Sequence, residues 1–193
     1  ITAFSAVKKV EPAALRDETL VIIGAGGVGL MGLALARAMG AKGVVMVDID
    51  PAKRKAALDA GAVAAVDGSA PDAAQQVKDA TGGGAWAVVD FVGSGETVRL
   101  GVESLVPKGG KVIVVGLFGG DITVSTPFFP MRAMAIQGSY VGSLPEMREL
   151  LDLVRTTGVP GVPIRTRPLE DVNSALEDLR AGKVVGRVVL TPA

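Results

Sequence analysis

Residues 20–48, LVIIGAGGVGLMGLALARAMGAKGVVMVD, decide how this chain folds. Leu20 to Ile23 are consecutive apolar residues, the composition of a strand buried on both faces. They run straight into Gly24-Ala25-Gly26-Gly27-Val28-Gly29. A helical stretch follows that is apolar nearly all round, with Val28, Leu30, Met31, Leu33, Leu35 and Met39. Val44 to Val47 then form a second apolar run that ends on an acid, Asp48. Strand, glycine turn, helix, strand and terminal acid stand in the order and spacing of a dinucleotide-binding fingerprint.

Each position in the turn has a physical role in that reading. Gly24 permits the sharp exit from the strand, and Gly26 leaves room for a pyrophosphate to approach the backbone. Gly29 lets the helix pack closely on the sheet. The N–H groups of Gly27 and Val28 would open the helix and face the phosphates, backed by the positive end of the helix dipole. Asp50-Pro51 supplies the N-cap and first-turn proline of the next helix, which leaves Asp48 free at its strand tip. A carboxylate there accepts the adenosine ribose hydroxyls and repels a 2′-phosphate, favouring NAD over NADP. The basic run Lys53, Arg54 and Lys55 weighs against that preference, although Arg54 and Lys55 read as a solvated helix face.

Composition narrows the function. A chain of 193 residues with no net charge and no basic stripe offers nothing to nucleic acid or to an anionic membrane. No apolar run is long enough for a membrane span, and the absence of cysteine fits a cytoplasmic protein. The absence of histidine is more telling. Without His or Cys, the chain has no ligands for an ordinary N/S zinc site and no Ser-His-Asp triad. No catalytic residue and no metal ligand is assigned to it.

Beyond the fingerprint, β and α patterns alternate. Residues 3–16 read as one helix. Strands are expected at 19–24, 43–48, 64–66, 86–91, 111–116, 134–141, 164–167 and 185–190, with helices at 27–39, 51–60, 71–80, 95–105, 145–157 and 171–181. A proline-rich excursion occupies 121–132. The expected fold class is α/β, a Rossmann-type doubly wound parallel sheet of about six strands with helices on both faces, spanning residues 1–193 as one domain. Ligands of such sheets bind at the C-terminal strand tips. Those tips are Gly24, Asp48, Asp67-Gly68, Phe91 to Ser94, Val115-Gly116-Leu117 and Ser139-Tyr140-Val141. Trp86 and Phe91 read as packing residues.

Seven segments resemble the coenzyme-binding half of medium-chain dehydrogenases/reductases, in the zinc-dependent alcohol dehydrogenase branch. They are TAFSAVKK at 2–9, VIIGAGGVGLMGLALARAMGA at 21–41, VDIDPAKR at 47–54, DFVGS at 90–94, GKVIVVGL at 110–117, GSYVGS at 138–143 and GRVVL at 186–190. The resemblance implies that Gly27 and Val28 face the pyrophosphate of NAD, with Arg187 pairing to it. Asp48 and Lys53 would hold the adenosine ribose, and Ile49, Val92 and Gly93 would line the adenine side. Backbone at Val115, Leu117, Ser139 and Val141 would surround the nicotinamide ribose and carboxamide, with Thr2 near the ring.

By the same resemblance residues 1–17 are the entry helix from an N-terminal catalytic domain that holds the zinc. The chain alone is expected to bind NAD(H) and catalyse nothing, while the parent oxidises an alcohol by hydride transfer. Two other readings stay open: a zinc-free quinone or enone reductase of the same superfamily, and a non-enzymatic NAD-sensing module. A homodimer is expected through the edge strand and the apolar segment near residues 117–141, with Phe128 and Phe129 close to the interface.

Overall fold

The computed structural model describes residues 1–192. At its centre β1 (Thr19–Ile23) is flanked by β2 (Gly43–Asp48) and β4 (Ala87–Asp90). With β3 (Ala64–Asp67), β5 (Lys111–Val114) and β6 (Ala135–Gly138) they form a six-stranded sheet in the order β3-β2-β1-β4-β5-β6. Every pairing is parallel. The strand order reverses between β1 and β4, which opens a crevice above their C-terminal ends. This is the doubly wound Rossmann-type α/β fold expected from the alternation.

The apolar runs account for the two-sided core. Side chains on alternate positions of a strand point to opposite faces. Leu20, Ile22, Val44, Met46, Val89 and Ile113 therefore pack on one face against α1 (Thr2–Lys8), α3 (Gly27–Ala38) and α4 (Pro51–Asp59). Val21, Ile23, Val45, Val47, Val88 and Val112 pack on the other against α5 (Ala73–Thr81) and α6 (Gly95–Glu103). Leu33 of α3 is fully buried, as a helix apolar all round requires.

Three expectations need correction. The single helix over 3–16 is two, α1 and α2 (Pro12–Asp17), separated at Lys9–Glu11. Pro12 has no N–H and forces Glu11 into an extended conformation, so it starts a helix rather than continuing one. The strand over 134–141 is only Ala135–Gly138; Ser139 to Val141 leave the sheet, and Val141 takes φ +48°. The proline-rich excursion carries a short helix, α7 (Phe128–Arg132).

The last two strands do not extend the main sheet. β7 (Ile164–Pro168) and β8 (Arg187–Thr191) pair with each other in parallel as a separate two-stranded sheet, connected through α9 (Val172–Arg180). α8 (Leu144–Thr157) lies over α1, where Leu150 and Leu153 meet Ala3 and Phe4.

Candidate functional site

The glycine turn is built by close approaches. Gly24 leaves β1 at φ +92°, a conformation that L side chains rarely adopt, and its N–H donates to the Val47 carbonyl on β2. Gly29, one turn into α3, lies so near that a Cβ there would overlap the Gly24 carbonyl oxygen. Helix–sheet packing itself falls to Gly32, where a Cβ would sit 2.7 Å from the Phe91 ring. The sequence pattern does not distinguish these two glycines. Gly26 differs from both: a Cβ there would meet nothing within 4 Å, so its backbone borders open space. Gly27 backs onto the C-terminal strand, with a Cβ position 2.5 Å from Arg187 Nε and 2.7 Å from the Gly186 carbonyl oxygen.

Two cavities meet above this turn, sharing Gly24, Asp48 and Val92 in their walls. The first, of about 460 Å³, is bounded by the start of α3 at Gly27 and Val28, by Lys53, Phe91 and Arg187, and by an apolar wall from α9 and β8. A helix N-terminus and two cations make it an anion-attracting space. The second, of about 700 Å³, lies over the tips of β2 and β3 and is bounded by Ile49, Ser69, Ser94 and Phe118 to Asp121. Nothing in the sequence pattern placed Phe118 to Asp121 here. They arrive because the segment after β5 bonds to the turn after β4, Phe118 N–H to the Val92 carbonyl at 3.1 Å and Gly119 N–H to the Gly93 carbonyl at 3.0 Å.

Asp48 ends β2 as expected, but its carboxylate is not free. Oδ2 accepts the Ala25 N–H at 2.7 Å and Oδ1 accepts the Asp50 N–H at 2.9 Å. These bonds aim it into the space shared by the cavities. Each oxygen keeps a second lone pair for a further donor. Asp50 caps α4 through the Ala52 N–H, as Asp50-Pro51 implies. The expected solvated face at 54–55 holds only for Lys55, which pairs with Asp59. Arg54 is instead folded under the turn: Nη1 donates to the Asp48 and Ile49 carbonyls, both at 2.9 Å, and Nη2 lies 3.1 Å from Asp67 Oδ2.

Asp90, at the tip of β4, is a buried acid that holds the Val92 turn bordering both cavities, and the glycine and charge patterns do not single it out. It is fully buried and accepts the Val92 N–H at 2.8 Å, the Gly93 N–H at 3.0 Å and the Thr97 hydroxyl at 2.8 Å. Burial pushes its carboxyl above the usual range, and those three bonds work in the opposite direction. Its signal in the sequence is an acid closing an apolar strand immediately before a small-residue turn. Through this carboxylate the Val92-Gly93 turn is held so tightly against Gly116 that a Cβ on either glycine would overlap backbone of the other turn.

The remaining expected residues form a second group. Val115 is buried, while Leu117 and Tyr140 are about four-fifths exposed. Gly142 packs on Ile1 and Ser5, which brings the Ser139–Val141 loop beside the start of α1 and Thr2. Ser139 is buried, and its hydroxyl has no hydrogen-bond partner. Thr2, Val115, Gly116, Leu117, Ser139, Tyr140 and Val141 lie outside the walls of both cavities. The structure thus brings Gly24 to Gly29, Asp48, Ile49, Lys53, Val92 and Arg187 together, keeps Gly93 on the turn after β4 outside both cavity walls, and leaves the others at the β5–β6 side.

The sequence model of the zinc-binding dehydrogenase family matches residues 27–156, from the glycine turn to the end of α8. This chain belongs to the zinc-binding dehydrogenase family. The NAD-dependent alcohol dehydrogenase of Sulfurisphaera tokodaii is 33% identical over 196 residues, which takes in 100% of this chain and 55% of the relative. Among solved structures, the alcohol dehydrogenase of Aeropyrum pernix superposes with a TM-score of 0.89 at 33% identity, covering 99% of this chain and 55% of that one. The acetophenone reductase of Geotrichum candidum, solved in complex with NAD, gives 0.81 at 28% identity, covering 98% and 52%. This zinc-binding dehydrogenase chain therefore spans about half the length of the relatives it matches. Its own donor set does not fit an N/S zinc site, because it contains neither His nor Cys.

Proposed function

We propose that this chain is the NAD(H)-binding domain of an alcohol dehydrogenase. The rest of that enzyme would hold the zinc and the alcohol pocket. One observation carries the reading: the open backbone at Gly26, the start of α3 and the Asp48 carboxylate border one continuous crevice, with Arg187 and Lys53 on its rim. An anionic pyrophosphate fits the first cavity and a ribose with free 2′- and 3′-hydroxyls fits the oriented acid between the two.

When bound, NAD supplies the hydride acceptor. The chain's own residues bind and orient it. Gly27 and Val28 would donate backbone N–H groups to the pyrophosphate, and Arg187 would pair with it. Asp48 would accept the ribose hydroxyls through its remaining lone pairs, with Lys53 beside it. Ile49, Val92 and Gly93 would flank the adenine. The Val115–Leu117 and Ser139–Val141 backbones, with Thr2, would surround the nicotinamide end. A zinc-free, NADPH-preferring reductase is disfavoured by Asp48 and by Arg54, whose guanidinium is already engaged.

Titration of the chain with NADH and NADPH tests the proposal. NADH is expected to bind at least about tenfold more tightly, the scale of one charged hydrogen-bonded contact. Asp48→Ser should narrow the gap. Equal affinities in the unmodified chain overturn the NAD assignment.

A further inference from the structure

Arg54 links three segments that the sequence keeps apart. Asp48 and Asp67 are register partners at the tips of the parallel strands β2 and β3. From the first turn of α4, the Arg54 guanidinium reaches back between them. One nitrogen donates to the carbonyls of Asp48 and Ile49 on the β2–α4 turn, and the other pairs with the Asp67 carboxylate. Asp67 is held in turn by Ser69, whose N–H donates at 2.9 Å and whose hydroxyl donates at 2.6 Å to its Oδ1. Those Ser69 bonds, with the Arg54 charge behind them, keep the Asp67 carboxyl below its ordinary range.

This arrangement bears on Asp48 directly. Half of what orients the Asp48 carboxylate is the N–H of Asp50, which belongs to the same turn whose carbonyls Arg54 holds. The guanidinium is also a cation beside the tip where a 2′-phosphate would project. Its donors point down at carbonyls and at Asp67, not into the cavity. An arginine freed at this point would be a bidentate phosphate ligand.

We infer that Asp67 is a specificity-determining positioning residue for the adenosine end of the dinucleotide: by engaging Arg54 it fixes the turn that presents Asp48 and withholds the guanidinium from a 2′-phosphate. The inference rests on the NAD-binding reading above and adds a residue that never touches the cofactor. Asp67→Asn is the direct test, because asparagine keeps the shape and the acceptor for Ser69 while removing the charge that pairs with Arg54.

The readout is the ratio of NADPH to NADH dissociation constants for the 193-residue chain. That ratio is expected to fall by about tenfold in Asp67→Asn, the size of one charge-assisted hydrogen bond that only the phosphorylated cofactor can make. In Asp67→Asn/Arg54→Gln the ratio should equal that of Arg54→Gln alone, since both lose the hold on the turn and no guanidinium remains to be released. A purely structural role for Asp67 weakens both cofactors in proportion and leaves the ratio unchanged, which overturns the inference. So does a ratio in the double variant that stays below that of Arg54→Gln alone. Failure of the unmodified chain to bind NADH removes the underlying reading as well, whereas preferential NADH binding with an unmoved ratio in Asp67→Asn removes this inference alone.

Discussion

A Cβ added at Gly26 meets nothing within 4 Å, whereas one added at Gly29 overlaps the carbonyl oxygen of Gly24. The two glycines occupy one turn, yet their substitution should separate stability from binding. Gly26 sits at φ −72°, which alanine adopts without strain, so Gly26→Ala should leave stability within about 1 kcal/mol or raise it slightly. Its methyl would stand where the proposed pyrophosphate approaches, and NADH affinity should drop by about tenfold or more. Gly29→Ala forces α3 away from the β1 exit and should cost about 3 kcal/mol before any cofactor is added. Urea unfolding of both variants beside NADH titration checks the contrast; equal stability losses would remove it. At this scale the glycine spacing was legible because its geometry is local to one strand-turn-helix unit. The position of Asp48 was legible because it closes the next apolar strand; the bonds from Ala25 and Asp50 that occupy its carboxylate were not. Nor were Arg54 and Asp90. The partner of Arg54 lies on another strand tip, and Asp90 acts through backbone N–H groups that only the folded turn presents.

Helix α8 shows how a short sequence signal sets an element boundary. Ser143 caps it by accepting the Glu146 N–H, while the Glu146 carboxylate accepts the Ser143 N–H at 2.7 Å. Those Ser143 bonds, the backbone N–H first and then the hydroxyl, lower the Glu146 carboxyl from 4.5 to about 2. A carboxylate with a depressed folded-state pKa contributes stability that is fully present above its unfolded value and is lost as pH falls. The window here runs from pH 4.5 down to about 2. Glu146→Gln keeps the reciprocal cap but not the charge, so the unmodified chain should lose more stability than this variant across that window, with no change in their difference above it. Thermal melts from about pH 2 to 7 read this; parallel curves throughout would contradict it. Ser143→Ala should cost about 1 kcal/mol at neutral pH. The Ser143–Glu146 cap is local chemistry written in the chain, and so is the helix start at Pro12, which the expected single helix over 3–16 passed over. The pairing of β7 with β8 is not written there, because an apolar strand pattern carries no record of which sheet it joins.

At the scale of the whole molecule, the sheet ends on β3 at one side and on β6 at the other, and the β6 edge is the one flanked by apolar residues of α7. β6 is the last strand on its side, and Gln137 and Gly138 at its end are exposed. Just before it in the chain, Met131 is more than two-thirds exposed, and Phe128 and Phe129 stand partly in solvent. Unpaired strand edges flanked by apolar side chains invite pairing with another chain. The prolines at 127 and 130 act within α7 and its N-cap rather than in β6, so they do not block the edge itself. A symmetric homodimer is expected, with β6 pairing to its two-fold copy and Phe128 and Phe129 packed near the axis. Light scattering at micromolar concentration should give twice the chain mass. Phe128→Asp/Phe129→Asp should return it to the monomer mass, because two carboxylates at the centre of an apolar contact would be desolvated without partners. The same variant should still fold, with a midpoint that no longer depends on chain concentration, since both phenylalanines lie outside the buried clusters on either face of the sheet and no dimer remains to dissociate. A monomer mass for the unmodified chain that does not rise on concentration refutes the dimer and leaves the fold and the cofactor reading untouched.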